Sequence, residues 1–222
     1  MKLSKLVYEV VKSVSFNDDT NFTYDGFIRG QYDNDFQYAV AINNAFTPIS
    51  TAIHRLSDRG KIKNKIHIIR PQPKSQLLDI SEIKDNIKKI VSVFHIKNDG
   101  DYQKVDYREI GDGLLLVITF SQGHYYYIEY EEDIPRFSHN DYYYRDLEEG
   151  AIESKDIELK HYGISDTMTD YIISYCKGML LEEIAPEIAN MHLTRAEQYF
   201  ADLEPQQTSF LQNRVEKRYK IG

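Results

Sequence analysis

Residues 114–130 of this chain read LLLVITFSQGHYYYIEY, a pattern of strand, turn and strand. The apolar run 114–120 is typical of a buried strand, Ser121-Gln122-Gly123 indicates a turn, and 125–130 predicts a second strand. Strands joined by turns this short are typical of an antiparallel sheet or a small sandwich. The stretch therefore predicts antiparallel β structure in the middle of the chain.

Segments preceding this stretch extend the β region. Residues 65–70 alternate as a strand does, and the prolines after them end it. Residues 90–96 also predict a strand, and the sequence NDGD at 98–101 indicates a turn into a hairpin that continues through 102–110. Residues 77–83 fit the start of a short helix. Together these segments predict an antiparallel sheet or a small sandwich.

Helical periodicity dominates the N-terminal part. Apolar residues recur at helical spacing in 3–14, with charged residues on the other side, which predicts an amphipathic helix. Residues 22–32 contain two glycines and no clear period, so we expect a loop with one short strand or turn. A second helical pattern covers 36–56. Pro48 lies within it and allows either one kinked helix or a second helix that Thr47 caps.

Two more helices are predicted after the β region. Ser165 or Asp166 caps the first, and Pro186 ends it. Asn190 caps the second. The apolar stripe of the first consists of Met168, Ile172, Tyr175 and Met179. The inner face of the second consists of Leu193, Ala196, Phe200 and Leu203.

This order of elements predicts an α+β fold. The N- and C-terminal helices form one helical bundle, and the antiparallel β region is inserted between them. We divide the chain into N-terminal bundle helices at 1–61, the β region with an acidic loop at 62–162, C-terminal bundle helices at 163–205 and a tail at 206–222. The expected bundle core consists of Leu6, Val10, Ile53, Ile172, Tyr175 and Phe200.

Two polar segments contain clustered aromatic residues and are predicted interfaces. Segment 131–162 is rich in Asp and Glu and is predicted to be a long connection, with one more strand at Ile157 and Leu159. Within it, we expect residues 131–153 to become ordered mainly when they bind a partner. Its candidate contact residues are Tyr142, Tyr143 and Tyr144. The tail mixes apolar and basic residues, which fits either a docking arm or a solvated terminus. Its candidate contact residues are Phe210, Leu211, Arg214, Arg218 and Tyr219.

The composition argues against several functional classes. The 222 residues include 35 acidic and 27 basic ones, for a formal net charge of −8. Such a surface repels phosphate, so a general nucleic-acid binder is disfavoured. The single cysteine, Cys176, cannot form an internal disulfide, and we expect it to be a buried small hydrophobic residue. No stretch approaches the 18 apolar residues of a membrane span, so we expect a chain that folds and stays in the cytosol.

Motifs for catalysis are absent or weak. The sequence contains no P-loop, no dinucleotide-binding glycine motif, no G-x-S-x-G and no H-E-x-x-H. Residue types that bind zinc occur at His124, Asp133, His139 and Asp141, but their spacing matches no recognised site. Asp146 with Glu153-Ser154-Lys155 loosely matches the acidic-x-Lys core of a metal-dependent nuclease superfamily. We predict no metal, no cofactor and no enzymatic activity.

Four segments carry a resemblance to a known family. Residues 41–56 read AINNAFTPISTAIHRL, and 125–135 read YYYIEYEEDIP. Residues 156–183 read DIELKHYGISDTMTDYIISYCKGMLLEE, and 193–204 read LTRAEQYFADLE. The order of these elements resembles the head-to-tail connector (adaptor) proteins of tailed bacteriophages, of the tail tubular protein A type. The insertion 72–124 is longer than that family leads us to expect, which leaves its role open.

This resemblance implies a structural role in a virion. Members form a ring, usually of twelve copies, docked under the portal protein and in contact with the next tail or ring protein. Genomic DNA would pass through the lumen without specific binding, and an acidic wall would let it slide. A composition rich in Asn, Ile, Lys and Tyr suits a phage of an AT-rich host, including crAss-like phages. The alternatives are a small metal-dependent nuclease or other hydrolase, and a bacterial binding module.

Overall fold

Helices precede and follow a central β region along the chain, which gives the α+β fold that the sequence predicts. The computed structural model describes residues 1–14, 22–30, 35–70, 76–96, 102–118, 125–146 and 152–204. The chain divides into two compact units. The helical unit consists of Met1–Lys61 and Pro135–Glu204. The β unit consists of Ile62–Ile134, and the tail grouped with it, Pro205–Gly222, lies outside the described residues.

The bundle in the helical unit is built from helices that each bury an apolar stripe. The helices are α1 (Leu3–Val14), α2 (Tyr24–Arg29), α3 (Asp35–Asp58), α4 (Asp166–Leu181) and α5 (Pro186–Asp202). Helices α1, α3 and α4 contact one another, and α5 packs on α4. The predicted core residues Leu6, Val10, Ile53 and Ile172 are fully buried. Tyr175 and Phe200 are only half-buried, and Tyr171 is the tyrosine of α4 that is fully covered.

Helix α2 lies where we expected a loop, so that prediction is wrong. The hydroxyl of Thr23 accepts a hydrogen bond from the backbone N–H of Gly26 at 3.1 Å. Gly30 ends the helix in the left-handed conformation, at a φ of 68°, and its N–H bonds to the carbonyls of Gly26 and Phe27. A capped start and a glycine end stabilise even a short helix. Phe27, which is buried, anchors it.

Pro48 and Pro186 occupy different positions in their helices. Pro48 lies inside the single helix α3, so no second helix begins at Thr47. Pro186, by contrast, is the first residue of α5 and not the end of α4, and Asn190 is an interior residue of α5. The first residues of a helix have no partner for their N–H groups, so proline loses no hydrogen bond there.

The β unit is a small sandwich of two antiparallel sheets. Its strands are β1 (Lys65–Ile69), β2 (Leu77–Asp79), β3 (Ile87–Ile96), β4 (Tyr102–Val105), β5 (Tyr107–Gly111), β6 (Leu114–Val117) and β7 (Tyr126–Glu132). One sheet has the order β1-β7-β3-β4 and the other β2-β6-β5. The two sheets share one apolar core, which includes Leu78, Val93, Leu115, Val117, Tyr126 and Ile128.

Two details of the β unit differ from the prediction. Leu77 and Leu78 lie on a strand and not on a helix, because each pairs with a residue of β6. The segment 102–110 is two strands: β4 pairs with β3, and β5 pairs with β6. The chain changes sheets at Asp106, which lies between the two strands.

The acidic segment 131–162 is structured where it is described, so the prediction of a long unstructured connection is wrong. From Pro135 onwards it belongs to the helical unit, although the sequence grouped it with the β region. Strands β8 (Tyr142–Asp146) and β9 (Ile152–Asp156) form an antiparallel hairpin. Leu159 lies in a short 3-10 helix, Leu159–Tyr162, and not in a further strand.

Contacts with the N-terminus hold this hairpin in the helical unit. One carboxylate oxygen of Asp156 accepts from the N–H of Ser4 at 3.1 Å, and the other accepts from the Ser4 hydroxyl at 2.6 Å. The Leu3 N–H donates to the carbonyl of Ile157 at 2.8 Å, and the Leu159 N–H donates to that of Met1 at 3.0 Å. Asp156 therefore caps the start of α1.

Candidate functional site

Tyr142 is a predicted interface residue, but the structure buries it inside the helical unit. Its side chain is 5% exposed. Its ring stacks on Phe27 and Phe46, with centroids 5.6 and 6.1 Å away, and lies 5.2 Å from the ring of His139. A ring covered in this way cannot anchor a partner. The prediction is therefore corrected: this position of the acidic hairpin faces inward.

The other predicted contact residues are only partly described. Tyr143 and Tyr144 lie on β8, where they pair with Lys155 and Ser154 of β9, and only their backbone is described. The remaining candidates lie in the tail, outside the described residues: Phe210, Leu211, Arg214, Arg218 and Tyr219. Their role stays a prediction.

Two of the candidate metal and nuclease residues, Asp141 and Lys155, make structural contacts, and the side chains of Asp146 and Glu153 lie outside the described ones. One oxygen of Asp141 accepts from the N–H and the hydroxyl of Ser138, at 2.7 and 3.1 Å, and forms a capping box. The other oxygen lies 3.6 Å from the ammonium of Lys155, which also donates to the carbonyl of Asn140 at 3.3 Å. Among the described side chains, no three His, Cys, Asp or Glu residues come together as a metal site. His124 lies outside the described residues.

Cys176 is fully buried in α4, as predicted. Burial raises the pKa of its thiol, because the thiolate is poorly solvated in an apolar environment. The thiol therefore stays protonated and is unsuited to nucleophilic chemistry.

Helix α5 has apolar residues on two opposite sides. The inner side packs on α4 and buries Ala189 and Ala196. The outer side exposes Ile188 by 43% and Met191 by 56%, and Ile184, in the turn before the helix, is 72% exposed. We call Ile184, Ile188 and Met191 the α5 patch. An exposed apolar cluster on a folded unit is typical of a protein–protein contact surface.

Acidic side chains lie on the N-terminal side of the α5 patch. Glu182 and Glu183 lie in the turn before α5, and Glu187 lies in the first turn of the helix. All three side chains are exposed. The surface therefore combines apolar side chains with an acidic rim on its N-terminal side, and the exposed Arg195 follows one turn beyond Met191. The sequence contained part of this signal, because Met191 falls outside the predicted inner face. Ile184 and Ile188 precede Asn190, the predicted start of the helix, so the sequence assigned them to no helix face.

A close helix crossing holds the α5 patch in place. A side-chain carbon added at Gly178 of α4 would lie 2.5 Å from Cγ of Leu193 and 3.2 Å from the carbonyl oxygen of Ala189. Only glycine allows this approach without a shift of the neighbours.

Met179, which we expected on the inner stripe of α4, is 41% exposed instead.

A second candidate surface is a groove of about 730 Å³ along α3 in the helical unit. It is lined by Phe46, Thr47, Ser50, Thr51, His54, Arg55, Asp58, Arg59, Arg136 and Phe137. Arg55 is engaged, because its guanidinium donates two hydrogen bonds to Glu197, at 2.7 and 2.9 Å. Within the described part of the chain, the side chains of Arg59 and Arg136 have no hydrogen-bond or ion-pair partner. Free guanidinium groups bind carboxylate or phosphate well.

Comparisons with known proteins leave the function to be inferred from these surfaces. No model of a protein family matches the chain, and a search of curated proteins also gives no match. Across the described helices, none has the length and apolarity that a membrane crossing requires.

Proposed function

We propose that this chain is a structural, non-enzymatic subunit of a ring-shaped head-to-tail connector in a tailed bacteriophage. The ring, of about twelve copies by analogy with the family it resembles, would dock under the portal protein and contact the next tail or ring protein. The insertion 72–124, most of the β sandwich, would be this chain's addition to the connector. Its net charge of −8 suits a lumen through which DNA passes without being held.

The α5 patch is the observation that carries this proposal. A ring subunit needs a surface that stays exposed in the isolated chain and is covered by its neighbour. Ile184, Ile188 and Met191 would serve as such a surface, because they are exposed in and just before the first turns of a helix whose other side is already packed. An enzyme would instead need convergent reactive groups, and Asp141 and Lys155 make capping and ion-pair contacts.

The mass of the assembled protein tests this proposal. We expect the full chain to form a closed ring in light scattering and native mass spectrometry, and to co-sediment with portal rings. Ile188→Asp should prevent ring formation, because a buried charge at the contact is costly. Ile118→Asp is the matched control, since Ile118 is also an exposed isoleucine, at 65%, but lies in the β unit and outside the α5 patch. A monomer at all concentrations, with no binding to portal rings, would contradict the proposal.

A nuclease assay separates the connector from the enzyme alternative. We expect no cleavage of DNA with Mg²⁺ or Mn²⁺. Cleavage that Glu153→Ala or Lys155→Ala abolishes would establish the nuclease instead, provided that the variants remain folded by circular dichroism.

The groove along α3 favours one second candidate, a binding module for an anionic group. Arg59 and Arg136 would hold a carboxylate or phosphate, and the hydroxyls of Thr47 and Thr51 lie in the same groove. Calorimetry with inorganic phosphate and with an acidic peptide tests this function. Binding that is lost in Arg59→Gln and Arg136→Gln, by a chain that forms no ring, would favour the module over the connector.

A further inference from the structure

The α5 patch and the C-terminal tail have complementary surfaces. The patch is apolar, and its rim is formed by Glu182, Glu183 and Glu187. The tail, 206–222, contains four basic residues against one acidic residue. Its basic residues are Arg214, Lys217, Arg218 and Lys220, and its apolar ones include Phe210, Leu211, Val215, Tyr219 and Ile221. Apolar side chains can fill the patch while the basic ones pair with the rim.

The patch lies at the start of α5, and the tail follows the end of that helix in the sequence. The patch surrounds the start of the helix at Pro186, and the tail begins just beyond its end at Asp202. A helix of this length spans about 25 Å. Lys61 donates a hydrogen bond to the carbonyl of Leu203, which ties the end of α5 to the bundle. Each copy therefore carries an acceptor surface at the start of α5 and, after the end of α5 in the sequence, a donor segment.

We infer that the tail of each copy binds the α5 patch of the neighbouring copy. A contact between two different surfaces is heterologous, and such contacts generate a closed ring when the rotation between copies closes. A donor and an acceptor on every copy give one contact for each subunit, with none left over. This inference rests on the proposed connector function, and it names the contact that holds the ring together.

Cross-linking of the full chain tests this contact directly. Met191→Cys in one preparation and Leu211→Cys in a second, size-tagged preparation would be mixed and treated with a short bismaleimide. Cys176 can stay, because it is fully buried. We expect a cross-linked heterodimer that contains one chain of each kind. The control pair, Ile118→Cys with Leu211→Cys, should give on the order of tenfold less product.

Charge reversal tests the role of the acidic rim. Glu187→Lys in the Met191→Cys chain should lower the yield of heterodimer several-fold, and Arg214→Glu in the partner chain should restore it. High salt should lower the yield of the unmodified pair, because the exposed charges are screened. Glu187 is exposed, so its substitution leaves the fold intact, as circular dichroism would verify.

Each contrary result has its own meaning. If a chain with both cysteines cross-links only to itself at all concentrations, the tail folds back on its own helix and the inference is wrong. Rings that form without any cross-link between positions 191 and 211 would also overturn it, while the connector proposal would stand. Cross-linked copies that neither close into rings nor bind portal would instead overturn the connector function.

Discussion

Tyr142 shows how the burial of one side chain changes what its substitution reports. Its ring packs against Phe27 and Phe46 in the helical unit. Tyr142→Ala should therefore lower the free energy of unfolding by about 3–5 kcal/mol, as for other buried aromatic truncations. Urea unfolding measures this loss. Tyr142→Phe keeps the ring and should cost about 1 kcal/mol or less, and an equally small loss for alanine would show that the ring is not packed.

Ile172 tests the bundle core at the same scale. This residue of α4 is fully buried in the helical bundle. Ile172→Ala should cost about 2–5 kcal/mol in urea unfolding, because it removes buried methyl groups and leaves a cavity. Ile184→Ala is the control, since Ile184 is 72% exposed and should change stability by less than about 0.5 kcal/mol. A loss under that value for Ile172→Ala would contradict the bundle.

The pair α4 and α5 is the element that presents the candidate interface, and Gly178 sets its spacing. Alanine has the higher helix propensity, so Gly178→Ala would stabilise an isolated helix by about 1 kcal/mol. Here the added carbon meets Leu193 at 2.5 Å and the Ala189 carbonyl at 3.2 Å. We expect a net loss of about 1–3 kcal/mol, typical of overpacking.

A double substitution checks that reason. Leu193→Ala removes the closest atoms, so the loss from Gly178→Ala should be smaller in the Leu193→Ala background than in the natural chain. Thermal or urea unfolding of the four proteins gives the coupling energy. Additive losses would mean that the two side chains do not meet.

Removal of residues 206–222 is the prediction for the whole molecule. The described bundle and sandwich each have their own core without this segment. The truncated chain should therefore unfold at nearly the same temperature as the full chain. It should fail to assemble into rings or onto the portal, because it lacks the segment that we place on the neighbour. Normal assembly of the truncated chain would show that the tail is not a docking arm.

The sequence alone determined the elements whose signals are local. Helical periodicity predicts α1, α3 and α4, and turn-forming residues between apolar runs predict β1, β3, β6 and β7. Both signals arise within a few neighbouring residues, so no knowledge of the fold is needed to find them. The order of these elements was enough to predict an α+β fold.

Only the tertiary structure decided which polar segment folds onto which partner. The carboxylate of Asp156 caps α1 through Ser4, 152 residues earlier in the chain, and no local pattern encodes a pairing over that distance. Tyr142, which lies in a segment of the sequence rich in Asp and Glu, is likewise buried against Phe27 and Phe46. Helix α5 is apolar on two sides, and packing against α4 covers one and leaves Ile188 and Met191 on the other. Periodicity identifies an apolar face, but only the position of a neighbouring element determines whether that face is buried.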